Sequence, residues 1–495
     1  MAPAIPPSLA RPHFIGIGGA GMSGVAKILA RRGATVTGSD SRSSAVTEAL
    51  GRMGVTVHLG HAAEHLPEDA DSVVVSSAIR EDNPELVAAR ERGLPVVHRS
   101  AALAALMEGR RPVAVAGTHG KTTTTSMLAV ALRGLGLDPS YAIGGDIDGP
   151  TTNAHHGTGD LFVAEADESD RSFHAYTPEC AVVLNIELDH HAHYASLAEV
   201  HEAFDTFVGN IRPGGTLVVS ADHPGSRELA ARVAARRAEG AATPRVLTYG
   251  EAEDADVRIA GIVPHGMTSE VTVVLPQQLG GDKLDVTVSV PGRHYAHNAV
   301  AALTAGVAMG APAAPLAAAL ADYTGVRRRL QLIGTARGTQ VIDSYAHHPS
   351  ELRADLEAIR GGVGDGRVLV VFQPHLFSRT RELGRELGEA LALADYATVL
   401  DIYPAREDPI PGVTSALVTE AAAARGAAVS ASPDKDAAVA LLAGMARPGD
   451  VVLTMGAGDV TELGPRILDR IRQAEGAPAP GGHGGQAAPG NAGNE

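Results

Sequence analysis

Short apolar runs alternate with segments of helical period along most of this chain, which predicts a layered α/β protein. In the first part of the chain, His13–Ile17, Thr35–Ser39 and Ser72–Val75 have the length and composition of buried strands. Runs of this kind between helical segments are typical of parallel sheets that carry helices on both faces. The pattern therefore predicts a Rossmann-like domain over residues 12–110.

The alternation continues over residues 111–324, with one change of period. Strands are predicted at Pro112–Ala116 and Leu161–Ala164, and apolar positions over 197–211 follow one face of a helix. After a Gly-Gly-Asp turn, the apolar positions recur every second residue over 284–290. That shorter period predicts a small antiparallel element inside an otherwise α/β domain.

A third alternating segment completes the folded part of the chain. Its predicted strands are Val368–Phe372, Thr398–Ile402 and Val451–Met455, with helices between them, and they indicate a doubly wound sheet. The Gly-, Pro- and Ala-rich C-terminal segment has too few large apolar side chains to offset its ordering entropy. The predicted domains are a flexible arm at 1–11, then 12–110, 111–324 and 325–473, and a disordered tail at 474–495.

Composition narrows the function classes. The chain has 495 residues, 44% of them hydrophobic, with 3% aromatic residues and no tryptophan, so its cores are aliphatic. A net charge of -16 disfavours binding to nucleic acid or to anionic membrane surfaces. No apolar run suits a signal peptide or a membrane span, and the single cysteine, Cys180, suits a reducing compartment. We therefore predict a cytoplasmic protein whose thiol is buried and inert.

A glycine-rich turn follows the first predicted strand. Gly16, Gly18 and Gly21 form a G-x-G-x-x-G pattern, in which the backbone can approach a pyrophosphate at the N-terminus of a helix. Asp40 follows about 20 residues later, where an acidic residue commonly binds a ribose. The pattern suits a nicotinamide dehydrogenase as well as a nucleotide-sugar site, and a tight turn without a ligand is the remaining alternative.

A second glycine-rich turn carries the sharper signal. The sequence GTHGKTTTT at 117–125 has the GxxGKT core of a phosphate-binding loop, although Val115 stands where the general pattern has glycine. In such loops the backbone N–H groups surround phosphate oxygens, the lysine reaches the β- and γ-phosphates, and the next hydroxyl binds Mg²⁺. Lys121 and Thr122 occupy those two positions. Two phosphate-binding turns in two domains favour a nucleotide-bearing substrate together with a triphosphate.

Nine ordered blocks then resemble the Mur ligase family. They are GIGGAGMSG, GTHGKTTTT, EADESD, NIELDHHAHY, PGRHYAHNAVAAL, GVRRRLQLIG, DSYAHHPSE, FQPHLFSRT and DIYPAREDPIPGVTS, and they span roughly residues 12–470. The resemblance implies three domains that bind a UDP-sugar, ATP and an amino acid, in that order. It also implies that ATP activates the carboxylate of UDP-N-acetylmuramate as an acyl phosphate, to which L-alanine is joined.

The resemblance also implies roles for individual residues. Catalytic roles fall to Lys121, Glu165, His190, His348 and Arg379, and ligands to Mg²⁺ are Thr122, Glu165 and His190. The ATP set comprises Gly117, Thr118, His119, Gly120, Lys121, Thr122, Thr123, Asn298, Arg329 and Asp343. The nucleotide-sugar set comprises Gly16, Gly18, Gly19, Gly21, Asp40 and Ser76.

Several points stay open at the level of sequence. Any of Arg327, Arg328 and Arg329 suits the ATP contact, no residue is a clear general base, and the clustered histidines at 190–193 also suit zinc. An imidazole ligand beside a hard cation is unusual, so we predict that Mn²⁺ is tolerated.

The chain also departs from the family pattern at four positions near the amino-acid and metal regions, which are Leu376, Ala192, Ser344 and Ala346. These departures leave selectivity for alanine open. The rival functions are a nucleotide-dependent oxidoreductase, an ATP-binding regulatory protein with a decayed site, and a ligase that recycles murein tripeptide.

Overall fold

The computed structural model describes residues 6–147, 152–188, 194–405 and 407–473. The chain divides into two compact units. One consists of Met1–Gln331 with Arg353–Gly364, and the other of Leu332–Leu352 with Asp365–Glu495. Among the helices of the described ranges, none has the length and apolar character needed to cross a bilayer.

The first unit opens with a parallel sheet that has five strands within the described residues. Its strands are β1 (Pro12–Ile15), β2 (Thr37–Asp40), β3 (Thr56–Leu59), β4 (Ser72–Val75) and β5 (Val96–His98), in the spatial order β3-β2-β1-β4-β5. The helices between and after them are α1 (Ala20–Arg31), α2 (Ala45–Arg52), α3 (Pro84–Glu91) and α4 (Arg99–Met107). In this order β1 lies at the point where the chain reverses direction across the sheet, which is where open α/β sheets bind ligands.

The same unit contains a larger mixed sheet. Its strands are β6 (Arg111–Ala116), β7 (Ser140–Ala142), β8 (Ala154–His155), β9 (Leu161–Glu165), β10 (Cys180–Val183), β11 (Thr216–Ser220), β12 (Arg245–Gly250), β13 (Val257–His265), β14 (Thr268–Val274) and β15 (Lys283–Val288). Their order is β15-β14-β13-β12-β11-β10-β6-β9-β7-β8. The helices of this region are α5 (Lys121–Gly134), α6 (Leu197–Gly209), α7 (Pro224–Ala238), α8 (Arg293–Ala308) and α9 (Ala313–Ala319).

Burial follows the two kinds of strand pairing in this sheet. The parallel strands β6, β9 and β10 are almost entirely buried, because both of their faces are covered. In β15, which pairs antiparallel with β14, buried and more exposed positions alternate toward its end. The antiparallel element predicted from the period-two pattern is therefore confirmed.

The second unit contains most of a third sheet, in the order β16-β17-β21-β18-β19-β20. Its strands are β16 (Gln331–Ala336), β17 (Thr339–Ser344), β18 (Val368–Phe372), β19 (Tyr396–Val399), β20 (Val429–Ala431) and β21 (Val451–Met455). Its helices are α10 (Pro349–Gly362), within which the boundary between the units falls, α11 (Phe377–Leu391), α12 (Ala416–Ala424), α13 (Lys435–Met445) and α14 (Leu463–Gln473). The pairings of β17, β21, β18, β19 and β20 are parallel, as a doubly wound sheet requires.

Three predicted strands, Ser72–Val75, Val368–Phe372 and Val451–Met455, are confirmed to the residue. The first strand ends at Ile15 rather than Ile17, because Gly16 has φ +78° and begins the turn. The strand predicted at Thr398–Ile402 instead spans Tyr396–Val399. Leu400 and Ile402 lie in the following loop and are buried there. The apolar pattern therefore continues beyond the strand, because loop residues also pack into the core.

The two chain ends were predicted from composition alone. Within the predicted arm, Pro7–Leu9 forms a short 3-10 turn, and Leu9 is 1% exposed. The backbone N–H of Arg11 donates to Asp71 at 2.6 Å, and the carbonyl of Ser8 accepts the hydroxyl of Ser72 at 2.6 Å. A buried apolar side chain and several hydrogen bonds therefore tie residues 6–11 to the domain. Residues 474–495 of the predicted tail lie outside the described residues.

Two helical glycines of the second unit provide a matched stability test. A Cβ at Gly388 in α11 would lie 2.3 Å from the carbonyl oxygen of Val418, whereas a Cβ at Gly444 in α13 would meet nothing within 4 Å. We expect Gly388→Ala to destabilise the unit by about 1–3 kcal/mol through overpacking. Gly444→Ala should stabilise it by up to about 1 kcal/mol through helix propensity. Scanning calorimetry measures both, and equal shifts in Tm would contradict this account of the α11–α12 contact.

Candidate active site

The second glycine-rich turn joins the buried strand β6 to α5. Gly117 has φ +136° and Gly120 has φ +87°, conformations that favour glycine over residues with a Cβ. A Cβ at Gly117 would also lie 3.0 Å from Leu184 Cβ and 3.1 Å from Asn185 N. Val115, at the position where the general pattern has glycine, is still inside β6 and fully buried. The turn therefore starts at Gly117, and a side chain at 115 does not obstruct it.

The loop is held from behind by Asn185, which follows β10. Its Oδ1 accepts the N–H of His119 at 2.7 Å, and its Nδ2 donates to the carbonyl of His119 at 3.0 Å. The carbonyl of Asn185 accepts the N–H of Thr118 at 3.1 Å, and Thr118 Oγ1 accepts the N–H of Glu187 at 2.9 Å. Four hydrogen bonds thus fix the loop against the adjacent strand end.

Lys121 lies in a strongly acidic environment at the start of α5. Its Nζ donates to the carbonyl of Gly117 at 2.7 Å and is 2.8 Å from Glu168 Oε2. Burial alone would lower the pKa of Lys121, but Glu168, Asp167 and Glu165 outweigh it and raise that pKa. The ammonium therefore stays charged, and a phosphate that displaces Glu168 would meet a full positive charge.

Thr122 and Glu165 form the pair expected of a cation site. Thr122 Oγ1 donates to the two carboxylate oxygens of Glu165 at 3.1 and 3.0 Å, and the N–H of Gly144 donates to Glu165 Oε2 at 2.8 Å. Strand pairing places them, since Glu165 ends β9 opposite Val115 of β6. A hydroxyl and a carboxylate supply the oxygen ligands that Mg²⁺ prefers. Thr123, the next residue of the predicted ATP set, is buried inside α5.

The first glycine-rich turn is braced by the end of β2. The N–H groups of Gly16 and Ile17 each donate to the carbonyl of Ser39 at 2.9 Å, and the N–H of Gly18 donates to Asp40 Oδ2 at 2.8 Å. A Cβ at Gly18 would lie 2.9 Å from the same carboxylate oxygen. Asp40 therefore shapes the turn, in addition to the ribose contact predicted for it.

A cleft of about 300 Å³ lies between the first turn and the end of β9. Gly19, Gly21 and Ser76 line it from the first domain, and Glu165 and Asp167 line it from the central one. Arg99, the first residue of α4, also lines this cleft and is 3.1 Å from Asp167 Oδ2. The first turn and Glu165, which accepts the hydroxyl of Thr122, thus line one cavity together with Arg99.

Asn298 lies beside the phosphate loop. A Cβ at Gly120 would be 2.8 Å from Asn298 Oδ1, since α8 packs on α5. Asn298 and Asn185 both line a second cavity of about 590 Å³, together with His223 and His297. The predicted contact of Asn298 with the base or the ribose of ATP stays a prediction, and a cavity of this size next to the loop is consistent with it.

The three consecutive arginines have different surroundings. The Arg327 guanidinium is 3.5 Å from Asp146 and its backbone N–H donates to the carbonyl of Asp146. Arg328 has φ +63°, and its N–H donates to the side chain of Gln331. The N–H of Arg329 donates to the carbonyl of Val326 at 3.0 Å. The predicted ATP contact of Arg329 stays a prediction.

Three predicted residues belong to the second unit. Asp343 is 1% exposed and accepts the hydroxyl hydrogens of Thr454 and Thr461. His348 Nδ1 is 2.7 Å from Ser350 Oγ. Arg379 Nη1 is 3.4 Å from His375 Nδ1, and the His375 ring stacks on Tyr403 with centroids 5.8 Å apart. The roles predicted for these side chains are not tested by their positions within the unit.

The departures from the family pattern fall at identifiable places. Leu376 has φ +72° immediately before α11, and its N–H donates to the carbonyl of Tyr403. Ser344 ends β17, where its Oγ accepts the N–H of Ala346 at 3.0 Å. His190 and Ala192 lie outside the described residues, and so do the other histidines predicted as alternative zinc ligands.

Comparison with known proteins identifies the family. Models described as the Mur ligase family catalytic domain, the Mur ligase middle domain and the Mur ligase glutamate ligase domain match residues 11–111, 115–306 and 328–458. A curated relative from Streptomyces coelicolor, a UDP-N-acetylmuramate–L-alanine ligase, is 69% identical over 95% of this chain and 100% of its own length. The chain belongs to the Mur ligase family.

Other relatives agree with this assignment. The ligase of the same name from Streptomyces avermitilis is 68% identical over 95% of this chain and 99% of its own. The solved UDP-N-acetylmuramate–alanine ligase of Thermotoga maritima has a TM-score of 0.78 and 27% identity, covering 94% of this Mur ligase and 99% of that chain. A murein peptide ligase from Psychrobacter arcticus, with a TM-score of 0.68 and 24% identity over 93% of this chain and 98% of its own, shares the fold. The three-domain α/β fold predicted from sequence is confirmed.

Three side chains of the site were not singled out from sequence. Glu168 pairs with Lys121, Asn185 holds the second glycine-rich turn, and Arg99 lines the cleft beside the first turn. Glu168 and Asn185 lie inside blocks that carry the family resemblance, so their position in those blocks was an available signal. Arg99 lies outside every block, and only the tertiary structure places it next to Asp167.

Removal of the Asn185 side chain tests its support of the loop. We expect Asn185→Ala to raise the Kd for ATP about tenfold, because two loop hydrogen bonds worth about 0.5–1.5 kcal/mol each are lost. The control is Asn210→Ala. Asn210 follows the last residue of α6, and this substitution removes its hydrogen bond to the carbonyl of His174. Calorimetric titration measures both, and equal weakening of ATP binding in the two variants would contradict the role of Asn185.

Proposed function

We propose that this Mur ligase uses ATP to join L-alanine to the carboxylate of UDP-N-acetylmuramate, in the synthesis of bacterial peptidoglycan in the cytoplasm. The observation that carries the proposal is the cleft that Gly19 of the first glycine-rich turn and Glu165 at the end of β9 both line, because Glu165 accepts the hydroxyl of Thr122 at the second turn. A nucleotide sugar at the first turn would direct its acid toward a triphosphate at the second. The relatives named UDP-N-acetylmuramate–L-alanine ligase support this choice of substrates.

The chemistry requires activation of the carboxylate. A carboxylate oxygen of the sugar attacks the γ-phosphorus of ATP, the bond from that phosphorus to the bridging oxygen breaks, and ADP leaves. The amine of L-alanine then attacks the acyl carbon of the acyl phosphate, inorganic phosphate leaves, and the amine loses its proton. Phosphoryl transfer of this kind depends mainly on in-line positioning and on neutralisation of the developing charge.

Residues of the phosphate loop suit that requirement. The carboxylate of Glu168 is 2.8 Å from Nζ of Lys121 and neutralises its charge. A γ-phosphate that takes the place of Glu168 would receive a charge-assisted hydrogen bond, which is about twice as strong as a neutral one. The loop N–H groups and the N-terminus of α5 add positive potential at the same point.

A divalent cation fits beside the loop. Thr122 Oγ1 and the Glu165 carboxylate lie within 3.1 Å of each other, and both offer the hard oxygen ligands of Mg²⁺. We propose that they hold Mg²⁺ and that His190 contributes a further ligand. When bound, the cation supplies charge that stabilises the transferring phosphoryl group.

Amino-acid binding is proposed for the second unit. Arg379 provides a guanidinium that matches a carboxylate in two hydrogen bonds, and His348 provides an imidazole for the amino end of L-alanine. The Leu376 side chain carries no charge, so Arg379 is proposed to bind the alanine carboxylate without a second arginine at position 376. Selection of alanine over glycine then depends on one methyl group, worth about 1–3 kcal/mol.

Replacement of the loop lysine separates the two phosphate sites. We expect Lys121→Ala to lower the rate of ADP release at least about a thousandfold, because charge stabilisation of the transition state is lost. Affinity for UDP-N-acetylmuramate should stay within about twofold, since the first turn lies in another domain. Coupled assay of ADP release and calorimetric titration of the sugar provide the two measurements. An equal loss of sugar affinity would contradict the assignment of the two turns, and unchanged turnover would contradict the proposed function.

Titration with metal ions tests the Thr122–Glu165 pair. We expect Glu165→Gln to raise the Mg²⁺ concentration for half-maximal turnover at least about tenfold, because an amide oxygen carries no negative charge for the cation. The exposed Glu202→Gln in α6 is the matched control. Mn²⁺ should sustain turnover of the unaltered enzyme, as expected where an imidazole joins oxygen ligands. If turnover depends on Mg²⁺ concentration in the same way in the two variants, Glu165 is not a ligand of the cation.

A further inference from the structure

A fully buried carboxylate lies behind the first glycine-rich turn. Glu85 is 0% exposed and belongs to the first turn of α3. The N-terminus of this helix is fixed, since Pro84 is its first residue and Asn83 Oδ1 accepts the N–H groups of Glu85 and Leu86. A charged group rarely occupies such a place unless several donors surround it.

Donors from three other elements surround that carboxylate. Glu85 Oε2 accepts the hydroxyl of Ser39 at 2.5 Å and is 3.2 Å from Nε2 of His13, itself 0% exposed. Glu85 Oε1 accepts the N–H of Ala62 at 3.1 Å and is 3.4 Å from Nδ1 of His65. His13 comes from β1, Ser39 from β2, and the other two from the segment after β3. One carboxylate therefore ties together β1, β2 and the segment after β3.

The titration state of Glu85 agrees with this geometry. Burial alone would raise the pKa of Glu85, but the hydrogen bonds from His13 and Ser39 outweigh it and lower that pKa. Ion pairs of Glu85 in the described part of the chain involve histidines, namely His13, His61 and His65. Lysine and arginine do not contribute to these pairs, so hydrogen bonds and imidazoles hold the charge.

Ser39 links this network to the glycine-rich turn. Its hydroxyl donates to Glu85, while its carbonyl accepts the N–H groups of Gly16 and Ile17. Ser39 Oγ is also 3.0 Å from His61 Nδ1. Because the hydroxyl hydrogen is directed to Glu85, the oxygen accepts from His61, which places a proton on Nδ1 of that ring. The position of Ser39, and through it the turn, thus depends on Glu85.

We propose that Glu85 is a positioning residue for the nucleotide-sugar site, acting through Ser39 on the backbone of the turn at Gly16–Gly18. This inference rests on the proposed function, in which that turn binds UDP-N-acetylmuramate. A hydrophobic side chain would fill the same space but would not fix the orientation of its neighbours. A carboxylate with four hydrogen-bond donors instead fixes the positions of β1, β2 and the segment after β3 relative to one another. The pyrophosphate is then bound by N–H groups whose direction is set in advance.

Glu85→Gln tests the proposal, because it keeps the shape of the side chain and removes its charge and one acceptor. The Kd and KM for UDP-N-acetylmuramate should rise at least about tenfold, while kcat at saturating sugar and the Kd for ATP stay within about twofold. Glu91→Gln, at the exposed end of the same helix, is the matched control and should change none of these quantities. Ser39→Ala removes the link but leaves His13 and Ala62 on the carboxylate, and it should reproduce the loss for the sugar alone.

Each outcome of this experiment distinguishes the inference from the function on which it rests. If the unaltered protein fails to bind UDP-N-acetylmuramate in calorimetric titration, the proposed function is wrong. If it binds the sugar and Glu85→Gln binds it equally well, Glu85 is not a positioning residue. Equal losses for the sugar and for ATP in Ser39→Ala would indicate a general structural role and would also overturn the proposal. If Glu85→Gln does not fold, Ser39→Ala decides the matter by the same two titrations.

Discussion

A mostly buried ammonium among carboxylates is the interaction on which the proposed chemistry of this Mur ligase depends. Lys121 Nζ is 2.8 Å from Glu168 Oε2 and also donates to two carbonyls of its own loop. The removal of this charge from water costs several kcal/mol, which paired acids must offset. Glu168, with Asp167 and Glu165, therefore keeps Lys121 charged at the point where we propose that it meets a phosphate.

The rest of the site follows from where parallel strands end. β6, β9 and β10 are parallel neighbours, so the phosphate loop, Glu165 and the segment that contains Asn185 leave the sheet at the same edge. The first domain repeats this arrangement with β1 and β2, whose ends form and brace the other turn. Each glycine-rich turn thus has a polar brace from a neighbouring strand or the segment after it, namely Asn185 for one and Ser39 with Asp40 for the other.

These braces differ in the way they restrain the backbone. Asn185 contacts the loop directly through its side-chain amide and its own carbonyl. Ser39 holds the first turn by its carbonyl, and its hydroxyl donates to the buried Glu85. In the proposed reaction the first turn contributes binding alone, whereas the second must also stabilise a transition state. The proposed support from Glu85 therefore concerns binding of the nucleotide sugar rather than stabilisation of the transition state.

The sequence alone determined the order of elements, the two glycine-rich turns, Lys121 with Thr122, and the family resemblance, because these features are local in the chain. A few consecutive residues are enough to show each of these features. Such features are a hydrophobic period of two or of 3.6 residues, a glycine where φ is positive, and a hydroxyl residue next to a lysine. Tertiary structure alone decided that Glu168 neutralises Lys121, that Asn185 holds the loop, and that Arg99 faces Asp167. It also decided the burial of Glu85 among His13, Ser39 and Ala62, which lie 72, 46 and 23 residues away along the chain. Contacts of this kind depend on which strands become neighbours, and hydrophobic patterning does not encode that choice at any single position.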